Sequence, residues 1–537
     1  MKKFNLFIYI LILMFCTVLL LSSCRESIQV VTIEDNSFID EEATIEMRAL
    51  KNEKETNFTL WSWQITSPEL AQEYATLIKG SNFDGIDFSV LWKDFEPKQN
   101  NFDWEYLDSI LDVFVKNDLN LSLNIILWTT GLEWKDTLDF QQTLSKTVYI
   151  YDEQHGPSIC LNSEKNLKII ENSIQAFASH CNEKYQQYIT RWHIRTSCYG
   201  ELEYSPVTEL DYSTFAMEAF YNYLFEKYED VSVFNKNYGF TLNSWDELKN
   251  IEYSTISETC NYDWKLFKQQ TIINLANLSG NIFKIANSKI PVAIQVGSFW
   301  DTKAAVFRGI FDPYTISKES GADIIQIADA PDWPHDFSID MVTSTTGKFI
   351  AMELDGAWQG EEVFTNYLKQ ASLAGESGVK YLSTANWEKS QIEKYSTTYL
   401  SHYKSLFTIN TPRQEADVTE VILVNTLDFI MKQPPMDLYE LYKRAYKVMT
   451  GDKNRKVRFL TDTQIIENPN LLNDIKELHF GTLDSINYMY DELGILLANS
   501  DCRLIDDKSE QPNFLNQFQK PLDDSIQTIL RTKIKEG

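Results

Sequence analysis

Two glutamates in this chain stand where few passive roles are open to them. Glu201 lies in "CYGELEYSP", residues 198–206, directly after the alternating run "YITRWHIRTS". Glu353 closes the apolar run of "KFIAMELDGAWQG". Two carboxylates aimed at one bond, one protonated and one ionised, can cleave it by acid–base and nucleophilic chemistry. A buried acid without a partner costs several kcal/mol, so Glu353 either works or is paired. Arg195 and Lys348 are the cations available for a purely structural pairing. Glu203, two residues beyond Glu201, is its rival for any catalytic role.

Positioning such a pair requires elements that end at a common place. The runs "NFTLWSWQI", "FDGIDFSVLW", "LNLSLNIILW", "YITRWHIRTS", "IPVAIQVGSFW", "ADIIQIADA", "KFIAMELDG" and "VKYLSTANW" read as strands, with helical patterns between most of them. Tyr106, Leu107, Ile110, Leu111 and Phe114 form one helical face; Leu167, Ile170, Ile174 and Phe177 form another. This order predicts a (β/α)8 TIM barrel, which carries its chemistry at the C-terminal ends of its strands. A doubly wound sheet is the competing fold, but no Gly-rich phosphate turn follows the first run. In the barrel, Glu201 follows strand four and Glu353 ends strand seven, across the mouth from each other. Trp63, Trp92, Trp128, Trp300 and Trp387 fall at or near the same ends of strands one, two, three, five and eight. Flat rings there can stack on sugar faces, while Arg195, Asp355 and Asn386 can bind hydroxyls. A carbohydrate is therefore the expected substrate, and two carboxylates flanking a glycosidic bond are what its hydrolysis needs.

The bulk numbers fit this picture. The 537 residues are 43% hydrophobic and 13% aromatic, the composition of a globular protein with room for more than one domain. A net charge of −28 speaks against nucleic acid as a partner. Residues 1–24 read as a lipoprotein signal peptide: Lys2 and Lys3, an apolar run, then Leu21-Ser22-Ser23-Cys24, with lipid expected on Cys24. Residues 25–56 read as an acidic tether, 57–410 as the barrel with a long insertion at about 205–290, and 411–537 as a smaller α/β domain. All 13 Trp lie at or before Trp387, which marks the compositional change between the two domains. In the last segment "VTEVILVNTLDFI", "MDLYELYKRAYKVMT" and "VRFLTDTQII" read as strand, helix, strand. Cys160, Cys181, Cys198, Cys260 and Cys502 have no spacing that implies a disulfide framework or a zinc site. No metal and no organic cofactor is expected.

"LWKDFEPKQNNFDWEYLDSILDVFVKNDLNLSLNI" resembles the strand-two to strand-three segment of family 42 β-galactosidases and related clan A barrels, and "FNKNYGFTLNSWDEL" is similar to that family's insertion after strand four. The resemblance implies a retaining glycosidase with Glu201 as general acid/base, Glu353 as nucleophile and a flavodoxin-like second domain. The chain departs from it at Gly200, where the clan normally has an Asn that binds the sugar 2-hydroxyl. Arg195 or Asn386 could replace that contact. "YGELEYSP" is also similar to a stretch of β-amylases, barrels in which that Glu is the general acid and which invert. The expected function is thus a lipid-anchored, extracytoplasmic glycoside hydrolase. The alternatives are a β-amylase-like inverting glucanase and a carbohydrate-binding lipoprotein without catalysis.

Overall fold

Strands β1 (Asn57–Ser62), β2 (Gly85–Leu91), β3 (Asn120–Ile126), β4 (Ile189–Arg195), β5 (Val292–Val296), β6 (Ile324–Asp329), β7 (Phe349–Asp355) and β8 (Tyr381–Ala385) form a closed parallel barrel. Each pairs with the next, and β8 returns to β1 with Phe58 opposite Leu382. This computed structural model describes residues 57–62, 65–81, 83–196, 201–297, 305, 307–329, 335–355, 379, 381–385, 420–426, 442–443, 445–452, 457–480, 489–506 and 524–536. All eight barrel strands fall inside the apolar runs that predicted them. Several of the helices between them start where the sequence offers a cap. Ser67, Asp103, Ser163 and Ser213 each accept a backbone N–H of the first turn, for helices Pro68–Gly80, Trp104–Lys116, Glu164–Tyr185 and Thr214–Tyr228. Leu107, Ile110, Leu111 and Phe114 are buried, as their spacing predicts.

The barrel lumen is polar, which is unusual for a packed core and explains how the strands present chemistry. Alternation along β4 turns Arg191, His193 and Arg195 inward, and Trp192 outward onto Phe283 of the outer helix Asn261–Ala286. Arg191 donates to Asp87 of β2 at 2.9 Å and to Ser122 of β3 at 2.8 Å. Ser383 of β8 donates to the same Asp87 at 2.6 Å, and Asn124 of β3 also binds it. Burial pushes the Asp87 carboxyl up, but Arg191 and Arg195 overcome it and hold the group near 2. Ala293, Ile324, Ala351 and Tyr381 form a small apolar cluster of their own, drawn from β5 to β8.

A second sheet follows, with β9 (Glu420–Val424), β10 (Arg458–Thr461), β11 (Glu477–Phe480) and β12 (Arg503–Asp506) parallel and ordered β10-β9-β11-β12. That is the start of a flavodoxin-like order. The run "VRFLTDTQII" is strand only to Thr461. Thr461 and Gln464 then form a reciprocal capping box that begins the helix Asp462–Glu467. The barrel and this sheet lie in one compact unit, Lys54–Gly537.

Candidate active site

Glu353 enters the upper lumen from β7, above Ala351 on the same strand face. Its Oε2 accepts from Gln295 Nε2 at 2.5 Å and from Arg195 Nη2 at 3.4 Å. Gln295 is oriented in turn, because its Oε1 accepts from Gln326 Nε2 at 2.8 Å. The amide therefore has only its N–H to offer Glu353, which sets that oxygen as an acceptor. Burial drives the Glu353 carboxyl up to about 7, Arg195 opposes the rise, and the charge of Glu201 adds to it. The Glu353 side chain keeps 13% exposure, so it opens onto the barrel mouth. Lys348, the other candidate cation, donates instead to the Ala322 carbonyl at 2.8 Å, just before Phe349 starts β7.

Glu201 lies beyond β4, buried to 8% exposure, with its carbonyl accepting from Thr196 N–H at 2.9 Å. The charge of Glu201 reaches the Glu353 carboxyl, whose rise it adds to. Glu203 points elsewhere. One of its oxygens accepts the Gly297 N–H at 2.9 Å, and the other meets Arg308 Nε at 3.2 Å. Burial pushes its carboxyl up to about 8, against the pull of Arg308, and the Glu201 charge adds to the rise.

The tryptophans divide. Trp128, two residues past β3, keeps the parity of Ser122 and Asn124 and stands edge-on to His155 at 4.3 Å between centroids. Asp152 anchors that imidazole through Nδ1 at 2.5 Å. Trp92 departs from the expectation that it lines the mouth. Asp87 and Ser89 share the inward face of β2, so Trp92 falls on the outward one. It is fully buried, its indole N–H shared between Glu96 at 2.7 Å and Ser173 of the outer helix at 3.2 Å. The Glu-Pro of the strand-two motif is thereby a scaffold element. Asp355 ends β7. Trp63, Trp300, Asn386, Trp387 and Cys24 lie outside the described residues. Gln295, Arg308 and Gly297 were not singled out in the sequence. Gln295 left a signal, as the lone polar residue of "VAIQV". Among the described residues no His, Cys, Asp and Glu cluster is arranged to hold a metal ion.

A closed (β/α)8 barrel with glutamates after its fourth strand and at the end of its seventh is the architecture of the clan A glycosidases. The sequence profile of glycoside hydrolase family 42, described as β-galactosidase, matches residues 62–359, and the chain belongs to that family. A β-galactosidase of Clostridium perfringens is 24% identical over 276 residues, 47% of this chain and 36% of its own length. The chain spans about a third of the length of the curated relatives it matches. The crystal structure of a cold-adapted β-galactosidase from Rahnella sp. R3 superposes with a TM-score of 0.68 at 11% identity, over 90% of this chain and 75% of that one. The catalytic domain of a β-amylase from Paenibacillus polymyxa gives 0.51 at 14% identity, over 66% of this chain and 99% of that one. At these identities both structures speak for the fold alone.

Proposed function

We propose that the protein is a retaining glycoside hydrolase acting on β-galactosides or closely related glycosides. The observation that carries this reading is the environment of Glu353: a carboxylate at the lumen end, held by two donors and within reach of the Glu201 charge. Glu353 attacks the anomeric carbon while Glu201 protonates the departing oxygen. A glycosyl ester forms on Glu353, and Glu201, now ionised, takes a proton from the water that cleaves it. Arg195 and Gln295 stabilise the ionised nucleophile. Trp128, with Trp63, Trp300 and Trp387, supplies stacking faces, and Asp355 and Asn386 supply polar contacts.

A panel of aryl glycosides followed by NMR of the first-formed sugar tests this. The expected result is hydrolysis with retained anomeric configuration. Glu353→Gln is expected to be inactive on every substrate. Glu201→Gln should keep turnover only with activated leaving groups and should yield a β-glycosyl azide when azide is added. Because Glu353 must be ionised to attack, kcat/KM should rise with pH through about 7. The likeness of "YGELEYSP" to β-amylases supports a second reading, an inverting glucanase, and inverted product from a maltooligosaccharide would select it.

The leader supports an extracytoplasmic, lipid-anchored location through Cys24, with residues 25–56 as the tether. Cys24→Ser should move the protein from the membrane to the soluble fraction. Retention at the membrane after that change would sink the lipid anchor. Among the described residues no helix is long and apolar enough to cross a membrane.

A further inference from the structure

Glu203 is a buried acid that the hydrolytic reading leaves without work. Its side chain is fully enclosed, and both groups facing its oxygens, the Gly297 N–H and the Arg308 guanidinium, are donors. Such a setting holds the Glu203 side chain in place, with Arg308 opposing the rise that burial and the Glu201 charge impose on it. The main chain beside it is tied at each step. Leu202 N–H donates to the Gln295 carbonyl at 2.8 Å, and Tyr204 N–H to the Arg308 carbonyl at 3.0 Å. Behind Arg308, the buried Lys268 of helix Asn261–Ala286 donates to the Phe307 carbonyl at 2.6 Å and to Glu209 at 2.6 Å. Gly297 makes the room for this arrangement. A Cβ there would sit 1.4 Å from Arg308 Nη1 and 2.8 Å from Glu203 Oε2.

We propose that Glu203, Arg308 and Gly297 form a positioning clamp that aims Glu201 at the leaving-group oxygen, with Glu203 taking no part in proton transfer. The inference rests on Glu201 being the general acid. Glu201 is bonded through its own carbonyl to Thr196 and is one residue from Leu202, whose N–H is held by β5. The clamp fixes the next turn of chain, so its loss lets the Glu201 side chain drift while Glu353, held by Gln295 and Arg195, stays in place. Protonation of the leaving group should suffer and nucleophilic attack should not.

The test compares kcat/KM for a phenyl glycoside, which needs the acid, with that for the 2,4-dinitrophenyl glycoside, which does not. The ratio of the two in one sample is independent of how much protein is folded. Arg308→Ala and Gly297→Ala should each lower the phenyl-to-dinitrophenyl ratio by about 100-fold, the scale of a displacement near 1 Å. Arg308→Lys should lower it less. Combining Gly297→Ala with Arg308→Ala should be less than additive, because the new methyl then meets no guanidinium and only its approach to Glu203 Oε2 remains. A ratio that Glu201→Gln collapses but Arg308→Ala leaves unchanged overturns the clamp. So does azide rescue of Glu203→Gln, which would make Glu203 the acid, or a crystal structure of Arg308→Ala with Glu201 unmoved. A ratio that Glu201→Gln leaves intact overturns the assignment of Glu201 instead.

Discussion

Glu353 shows how enclosing a single carboxyl in the barrel lumen carries a cost to folding. Its carboxyl titrates near 7 in the folded protein, against 4.5 for a free glutamate, chiefly because burial disfavours the charge. Between those values the folded state keeps a proton that the unfolded chain has released. Stability from this group is therefore unimpaired below about 4.5, falls as pH rises toward 7, and stays reduced above it. Glu353→Gln should be more stable than the parent at pH 8, by on the order of 1–3 kcal/mol. The 13% exposure of the side chain favours the lower end of that range. At pH 4 the two proteins should unfold alike. Thermal melts at both pH values check this, and an equal difference at both would remove the electrostatic account.

Elements were legible wherever a local pattern decides. Each barrel strand lies inside its apolar run, and the helices starting at Pro68, Trp104, Glu164 and Thr214 follow Ser or Asp caps. The period-two rule would also have separated the tryptophans, since Asp87 and Ser89 claim the inward face of β2 and leave Trp92 to the helices. Reading Trp92 by its position at a strand end, without its parity, put it at the mouth. In the second domain, Thr461 and Gln464 carry a Thr-x-x-Gln capping pattern that ends the strand within "VRFLTDTQII". The partners of Glu203 were of another kind. Arg308 stands 105 positions from Glu203 and in no repeating pattern, so only barrel closure brings them to 3.2 Å. The same holds for Gln326, Gln295 and Glu353, three polar residues on three apolar strands whose alignment depends on register between β5, β6 and β7.

At the scale of the whole molecule, the second sheet is part of the barrel's fabric. Residues of β9 alternate between two cores: Val421 and Leu423 pack within the second domain, while Ile422 and Val424 join the main core that includes the barrel. Phe337, on the barrel helix His335–Thr346, meets Tyr446 at 5.4 Å and Phe459 at 5.3 Å. Beneath those rings the Tyr446 hydroxyl donates to buried Asp340 at 2.7 Å. Thr463 donates to buried Asp312 at 2.9 Å. The Lys318–Glu467 pair, at 2.6 Å and with both side chains more than 40% exposed, contributes little by comparison. Burial of three aromatic rings outweighs it, at about 1.5–3 kcal/mol for each fully buried side chain. The barrel and second sheet should accordingly unfold in one transition, with calorimetric and van't Hoff enthalpies equal. Lys318→Ala should leave the melt within about 0.5 kcal/mol of the parent. Tyr446→Ala, which also removes a hydroxyl that donates to Asp340, should destabilise by about 3–5 kcal/mol and lower the midpoint of that single transition. Two separated transitions in the parent, or a Tyr446→Ala protein in which a barrel transition stays at the parental temperature, would show that the barrel does not depend on this interface.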